Sequence, residues 1–192
     1  GGAIARDGWA SRLAAIRAGI ARAKAKPAAD GLPFESVVDL LGRTLSDDAI
    51  VTVDAGTFGA PVYRVVPFRP VQRLLAPISG AMGFGVPAAV AAGLRRPDSP
   101  VICLVGDGGF LMTGSELAVA LERDLDLKVI LSENGIYASI RIHQERDYPG
   151  RTIGTSFTNP DFELIGRAYG CEVTRIRDEA DLTRLPEILA RK

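Results

Sequence analysis

Asp107 stands between glycines in VICLVGDGGF (101–110), and Asn134 follows 27 positions later (134 − 107) in LKVILSENGIY (127–137). Each comes directly after an apolar run of strand length. If the two strands are parallel neighbours, the acid and the amide lie at one sheet edge and their oxygens can share a cation. Mg²⁺ takes about six hard oxygen ligands in near-octahedral geometry, commonly one or two carboxylates with phosphate oxygens and water. The Asp107 carboxylate, the Asn134 amide oxygen, a nearby backbone carbonyl, phosphate oxygens and a water would fill that shell. Gly106, Gly108 and Gly109 carry no side chain to keep a phosphate off the backbone N–H groups where a helix begins. The chemistry these residue types favour is a metal-bridged grip on a diphosphate, although a lone GDG is also an ordinary turn.

Other phosphate-binding loops fail on spacing. The pattern GxGxxG would need glycine where Leu111 stands, and a dinucleotide site has no use for an acid beside the pyrophosphate without a metal. No GKS or GKT follows, so the segment is not a Walker A loop. Ser115 and Glu116 have no histidine near them in sequence and make no credible nucleophilic triad.

The strands that must position Asp107 and Asn134 are VICLVG (101–106) and LKVILSE (127–133), whose VICLV and LKVIL runs are apolar instead of alternating, as expected of central strands covered on both faces. Around them β-rich and helical runs alternate. Strands are expected at AIVTVD (49–54) and CEVTRI (171–176), and helices at 34–45, 86–94, 111–125, 161–169 and 179–190. This alternation predicts an α/β fold, a three-layer αβα sandwich with a mostly parallel, doubly wound central sheet. The stretch 140–159 is polar, rich in Gly and Pro, and receives no element; a loop of that length is more often functional than idle. From Ala3 to Lys26 the apolar residues Trp9, Leu13, Ile16 and Ile20 recur at helical spacing among basic residues, until KPAADGLP (26–33) breaks the pattern. Residues 1–31 therefore read as a linker helix and 32–192 as one domain.

Composition narrows the partners. The chain has 192 residues, 47% hydrophobic and 24% charged, an ordinary mixture for one folded domain. Lys+Arg and Asp+Glu balance at 23 each, which leaves no electrostatic footprint for nucleic acid or an anionic membrane surface. No run approaches the ~20 apolar residues of a membrane span, and the start has no signal-peptide order, so a cytoplasmic location is expected. Cys103 and Cys171 lack CxxC spacing and read as structural thiols in a reducing compartment. The chain starts without Met and stops at Lys192 after a helical pattern, so it is expected to be an excised fragment.

The segment GDGGFLMTGSELAVALERDLDLKVILSENGIY (106–137) resembles the thiamine-diphosphate signature of the acetolactate synthase and 2-oxoacid decarboxylase superfamily, which begins GDG and ends NN. By this resemblance the cofactors are thiamine diphosphate and Mg²⁺. Asp107 and Asn134 would be metal ligands together with the backbone carbonyl of Ile136, and Gly106, Gly108 and Gly109 would face the diphosphate. Upstream, ISGAMGFGVPAAVAAGL (78–94) resembles the family's segment under the thiamine ring. Met82 would prop the cofactor into its bent shape and Gly80 would offer a carbonyl to the pyrimidine, whereas read alone Met82 is ordinary core packing. VTVDAGTFG (51–59) is a looser match, in which Thr57 would donate its hydroxyl to the phosphates or simply cap a helix.

Two positions depart from the family pattern: Glu133 stands where the first Asn of NN is usual, and Phe58 replaces a polar residue of many acetolactate synthases. A solvated Glu133 and an effect on pH response or metal affinity are both open. His143, Arg141, Gln144 and Arg146 fall where family members carry a helix and loop over the substrate, and equally read as solvated loop residues.

The resemblance covers about residues 32–177 and implies one domain of a three-domain enzyme acting on a 2-oxo acid. The activating glutamate would come from a missing pyrimidine-binding domain, from another subunit of a homodimer or homotetramer. Residues 1–31 would link to a missing middle domain, and the chain is expected to stop before the domain's last strand. Alone it should have little or no activity. A natural small subunit of a two-chain decarboxylase of the sulfopyruvate type, and a degenerate non-catalytic binding module, are the alternatives.

Overall fold

The computed structural model describes residues 7–21 and 31–191. Helix α1 (Asp7–Ala21) falls within the expected N-terminal helix, whose outer residues 3–6 and 22–26 lie outside the described residues. Its Trp9, Leu13, Ile16 and Ile20 are all exposed. One tie to the domain is the Arg17 guanidinium, which donates to the Val66 carbonyl at 3.2 Å.

The domain runs α2 (Phe34–Thr44), β1 (Ile50–Val53), α3 (Ala60–Val65), β2 (Arg73–Leu75), α4 (Gly85–Arg95), β3 (Val101–Gly106), α5 (Asp107–Thr113), α6 (Leu117–Glu122), β4 (Leu127–Ser132), α7 (Ala138–Asp147), α8 (Phe162–Ala168), α9 (Glu179–Leu182) and α10 (Leu185–Ala190). The four strands form one open sheet in the order β2-β1-β3-β4, parallel at every pairing. Helices pack on both faces, so the expected αβα sandwich is the architecture found.

The two faces explain why β3 has no polar alternation. Ile102 and Leu104 join Val51 and Val53 of β1 against Val38 and Leu41 of α2 and Val62 of α3. Val101, Cys103 and Val105 point the other way, onto Val86 and Ala89 of α4 and Leu117 of α6. With a period of two and both faces covered, every position of the strand must be apolar. A third cluster, Val37 with Leu182 and Leu185, fastens the C-terminal helices to α2.

Several elements depart from the sequence reading. The helix expected over 111–125 begins earlier, at Asp107, and is broken by a 3₁₀ turn at Gly114–Glu116. The Phe110 ring lies where a Cβ on Gly114 would sit, 2.8 Å from its Cε1, so the chain bends around the ring at a residue with no side chain. The final helix is likewise two pieces, with Pro186 in the first turn of the second, where its missing N–H costs nothing. CEVTRI (171–176) is not a strand: among the described residues it has no ladder partner, although Cys171 and Ile176 still pack on the core and Val173 lies against Gly166. Apolar spacing sets which side chains turn inward, whereas a strand also requires backbone pairing. The sequence pattern does not predict the short β2 and α3, and α7 takes up residues 140–147 of the stretch 140–159 that receives no element from sequence. Among the described residues no helix is long and apolar enough to cross a membrane.

Candidate functional site

Because β1, β3 and β4 are parallel, their carboxyl ends share one edge: Val53 pairs with Leu104, and Gly106 with Ser132. Beyond that edge lies a cleft lined by residues 55–58, Met82, residues 106–109, Ser132, Asn134 and residues 136–140. Of the residues singled out from sequence, Thr57, Met82, Gly106, Asp107, Gly108, Gly109, Asn134 and Ile136 meet there. Gly80 does not line it; it is exposed in a turn closed by its N–H on the Pro77 carbonyl, with φ +69°.

Asp107 is only 3% exposed, so its carboxylate depends on protein donors. Its Oδ1 accepts the Gly108 N–H at 2.8 Å. Its Oδ2 accepts three more, from Asn134 N at 2.8 Å, Gly135 N at 2.6 Å and Asn159 Nδ2 at 2.8 Å. The loop after β4 is thereby tied to the acid that follows β3. A carboxylate oxygen has about two lone-pair sites, so Oδ2 is saturated while Oδ1 keeps capacity for a cation.

The other oxygens have similar room. Asn134 Oδ1 accepts Ile136 N–H at 2.9 Å, and the Ile136 carbonyl accepts Ala138 N–H at 2.8 Å. One carboxylate, one amide oxygen and one carbonyl are the hard donors Mg²⁺ prefers, and they are too few for its shell without phosphate oxygens and water. Among the described residues there is no group of three or more His, Cys, Asp or Glu suited to a metal. The donor set therefore fits a cation that arrives with a phosphate-bearing partner.

The glycines are also required by their neighbours. A Cβ on Gly108 would run into Tyr137 Cε1 and come within 3.2 Å of Met82 Cε. One on Gly109 would lie 2.7 Å from Asp54 Oδ2, and one on Gly106 3.1 Å from Phe58 Cε1. Phe58 itself sits edge-on to Phe34, with ring centroids 5.6 Å apart. Thr57 is exposed in the cleft wall and opens a 3₁₀ turn without capping it; the cap position belongs to Gly56.

Residues of the stretch 140–159 brace this edge. Thr155 and Phe157 exchange backbone hydrogen bonds with Tyr137 and Gly135 at 2.8 and 2.9 Å, and the Tyr137 and Phe157 rings lie 4.7 Å apart. Gly135 adopts φ +64°, and a Cβ there would come within 2.9 Å of the Phe157 carbonyl. On α7, Gln144 closes on Ile153 through both its amide atoms, at 3.0 and 3.1 Å, and Arg141 reaches Ser156 Oγ at 3.2 Å. Arg146 pairs with Asp147, and His143 is exposed. Glu133 turns to Arg175 at 3.5 Å, which also holds Glu163 at 2.9 Å, so the departure from NN is an exposed ion-pair partner.

Three residues escaped the sequence reading. Asp54, 1% exposed, accepts Ala55 N–H at 2.6 Å, Gly83 N–H at 3.0 Å and Gly85 N–H at 3.3 Å, and so clamps the loop that carries Met82. Its position at the end of VTVD was the available signal. Tyr137 covers Gly108. Asn159 reaches Asp107 across 52 positions, and nothing local distinguishes it from any Asn before Pro. Beneath the edge, burial pushes the Cys103 thiol up to about 12, with a bond to Thr52 opposing and the charge of Asp54 adding, so it stays an inert protonated thiol. Cys171 is partly buried and also free.

Residues 54–191 match the family model described as thiamine pyrophosphate enzyme, C-terminal TPP binding domain. The acetolactate synthase large subunit of Lactococcus lactis is 35% identical over 144 residues, covering 74% of this chain and 25% of that protein. Isozyme 1 of the Escherichia coli acetolactate synthase large subunit is 33% identical over 167 residues, covering 85% of this chain and 30% of its own length. The chain thus spans about a quarter to a third of these relatives. Among solved structures, the thiamine diphosphate-dependent 4-hydroxybenzoylformate decarboxylase of Rhodococcus jostii superposes with a TM-score of 0.79 at 28% identity, over 88% of this chain and 32% of that one.

Proposed function

The chain belongs to the thiamine pyrophosphate enzyme family as its C-terminal TPP-binding domain, and we propose that it anchors the diphosphate of thiamine diphosphate through Mg²⁺ within a 2-oxo acid decarboxylase or carboligase of the acetolactate synthase type. The observation that carries the reading is Asp107, a residue of the cleft wall buried between glycines at the carboxyl end of β3, with one oxygen saturated by three donors and the other holding a single one.

When bound, thiamine diphosphate supplies the nucleophilic carbon and the electron sink for the chemistry at the 2-oxo carbon. The residues of this chain bind and orient. Asp107 Oδ1, Asn134 Oδ1 and the Ile136 carbonyl would hold the cation, which neutralises phosphate charge. Gly106, Gly108 and Gly109 let the start of α5 approach the diphosphate, where backbone N–H groups favour an anion. Thr57 would add a hydroxyl and Met82 a bulky support above Gly108, while Gly80, exposed outside the cleft wall, would offer its carbonyl to the pyrimidine. The Tyr137 and Phe157 rings, with α7, would limit water at the cleft.

In this reading the proton-handling glutamate belongs to a pyrimidine-binding domain in a partner subunit of a cytoplasmic homodimer or homotetramer. Residues 1–31 join the domain to the rest of the enzyme, and the domain by itself turns over little or nothing.

Thermal unfolding of the full-length protein, titrated with thiamine diphosphate in Mg²⁺ or EDTA, tests the anchor. A ligand held only by the folded state stabilises by about 2.7 kcal/mol at a hundred times its Kd. The expected result is a rise in Tm that requires both components and is lost in Asp107→Ala. Equal, metal-dependent stabilisation of Asp107→Ala and the parent would overturn the ligand assignment.

A further inference from the structure

Asn159 holds a contradictory position. Its Nδ2 donates to Asp107 Oδ2 at 2.8 Å, and since a carboxylate only accepts, that contact sets which way the amide faces. Its Oδ1 is then left buried, and among the described residues it is the one buried side-chain polar atom without a hydrogen-bond partner. A buried acceptor without a partner destabilises a fold, and natural proteins keep few of them. A residue chosen for stability alone would not leave this atom unpaired.

The geometry around Asp107 supplies a reason to keep it. Two of the three donors on Oδ2, Asn134 N and Gly135 N, are backbone groups that almost any residue could provide. Asn159 is the only side chain in the set. The three together fix the torsion of the carboxylate, so that Oδ1, with its single Gly108 contact, is the oxygen with capacity left for a cation. The segment ahead of Asn159 is itself fastened, by the exchange of Thr155 and Phe157 with Tyr137 and Gly135. Asn159 is thus delivered to Asp107 by the same structure that shapes the loop after β4.

We propose that Asn159 is a positioning residue of the metal–diphosphate site, acting through Asp107 to hold Oδ1 in ligating orientation at the expense of its own unpaired oxygen. This rests on the Mg²⁺ reading of Asp107. Outer partners of metal ligands typically change metal affinity about 10- to 100-fold when removed.

The test uses the full-length protein and Asn159→Leu, which has nearly the same shape without the amide. Calorimetric titration of Mg²⁺ at saturating thiamine diphosphate is paired with Mn²⁺ paramagnetic resonance as a second count of bound metal, and with Tm in EDTA. The expected result is metal affinity weakened about 10-fold or more, with the metal-free Tm within a few degrees of the parent. Unchanged affinity, whether or not Tm falls, would overturn the proposal and leave Asn159 a structural residue. If Asn159→Leu fails to fold, Asn159→Ser carries the same two outcomes. A parent protein that binds no metal with the cofactor would instead defeat the Mg²⁺ reading itself, so the two failures are separable.

Discussion

Asp54 and Asp107 follow neighbouring strands of one sheet, and both are almost wholly buried, yet they do opposite work. Asp54 turns its oxygens inward to Ala55, Gly83 and Gly85, and it is not part of the cleft wall. Asp107, a residue of the cleft wall, loads one oxygen with three donors and leaves the other with a single contact. Burial alone therefore does not distinguish a binding carboxylate from a fastener. What distinguishes them is how donors are divided between the two oxygens and whether the residue lines the cleft.

The comparison breaks most sharply on Asp107→Ala. Metal-dependent affinity for thiamine diphosphate is expected to fall at least ~100-fold, about 2.8 kcal/mol, by calorimetry. The same loss from Asp54→Ala would erase the distinction. Asp54→Ala is expected instead to strip several buried N–H groups of their acceptor and lower unfolding stability by about 2–4 kcal/mol in urea, while the folded protein keeps its metal affinity within a few-fold.

Gly109→Ala probes the place where the two regions touch, since its Cβ would come within 2.7 Å of Asp54 Oδ2. Overpacking there is expected to cost about 1–3 kcal/mol, and the loss should be non-additive with Asp54→Ala, because shortening Asp54 removes the clash. The smallest effect is expected from Glu133→Gln. An exposed ion pair with Arg175 contributes less than about 1 kcal/mol, so stability and metal affinity should both stay close to the parent; a shift of metal affinity beyond three-fold would return Glu133 to the site.

Much of the scaffold was legible. VICLVG is apolar because both faces of the sheet are covered there, and that property survives in one dimension. LKVILS, expected as a second central strand, is instead the outer strand beside β3, and its six residues are only half-buried. Elements without such a pattern were not legible. β2 is three residues of an edge strand beginning with Arg73, too short for any period to emerge. Helix α7 has no buried residue, so no apolar stripe announces it. CEVTRI failed in the opposite direction, carrying the side-chain pattern of a strand without the paired backbone.

By itself the sequence determined the order of strands and helices around Asp107 and Asn134, and with it the edge at which an acid, an amide and three glycines would meet. Local periodicity and the parallel connection are enough for that. Only the tertiary structure decided that Asp54 clamps the Met82 loop, that Tyr137 closes over Gly108, and that Asn159 supplies the third donor to Asp107 Oδ2. Those contacts cross 29, 29 and 52 positions, respectively (83 − 54, 137 − 108 and 159 − 107). They follow from loop paths that bring hydrogen-bond donors and rings together in space, and no repeating pattern along the chain encodes such paths.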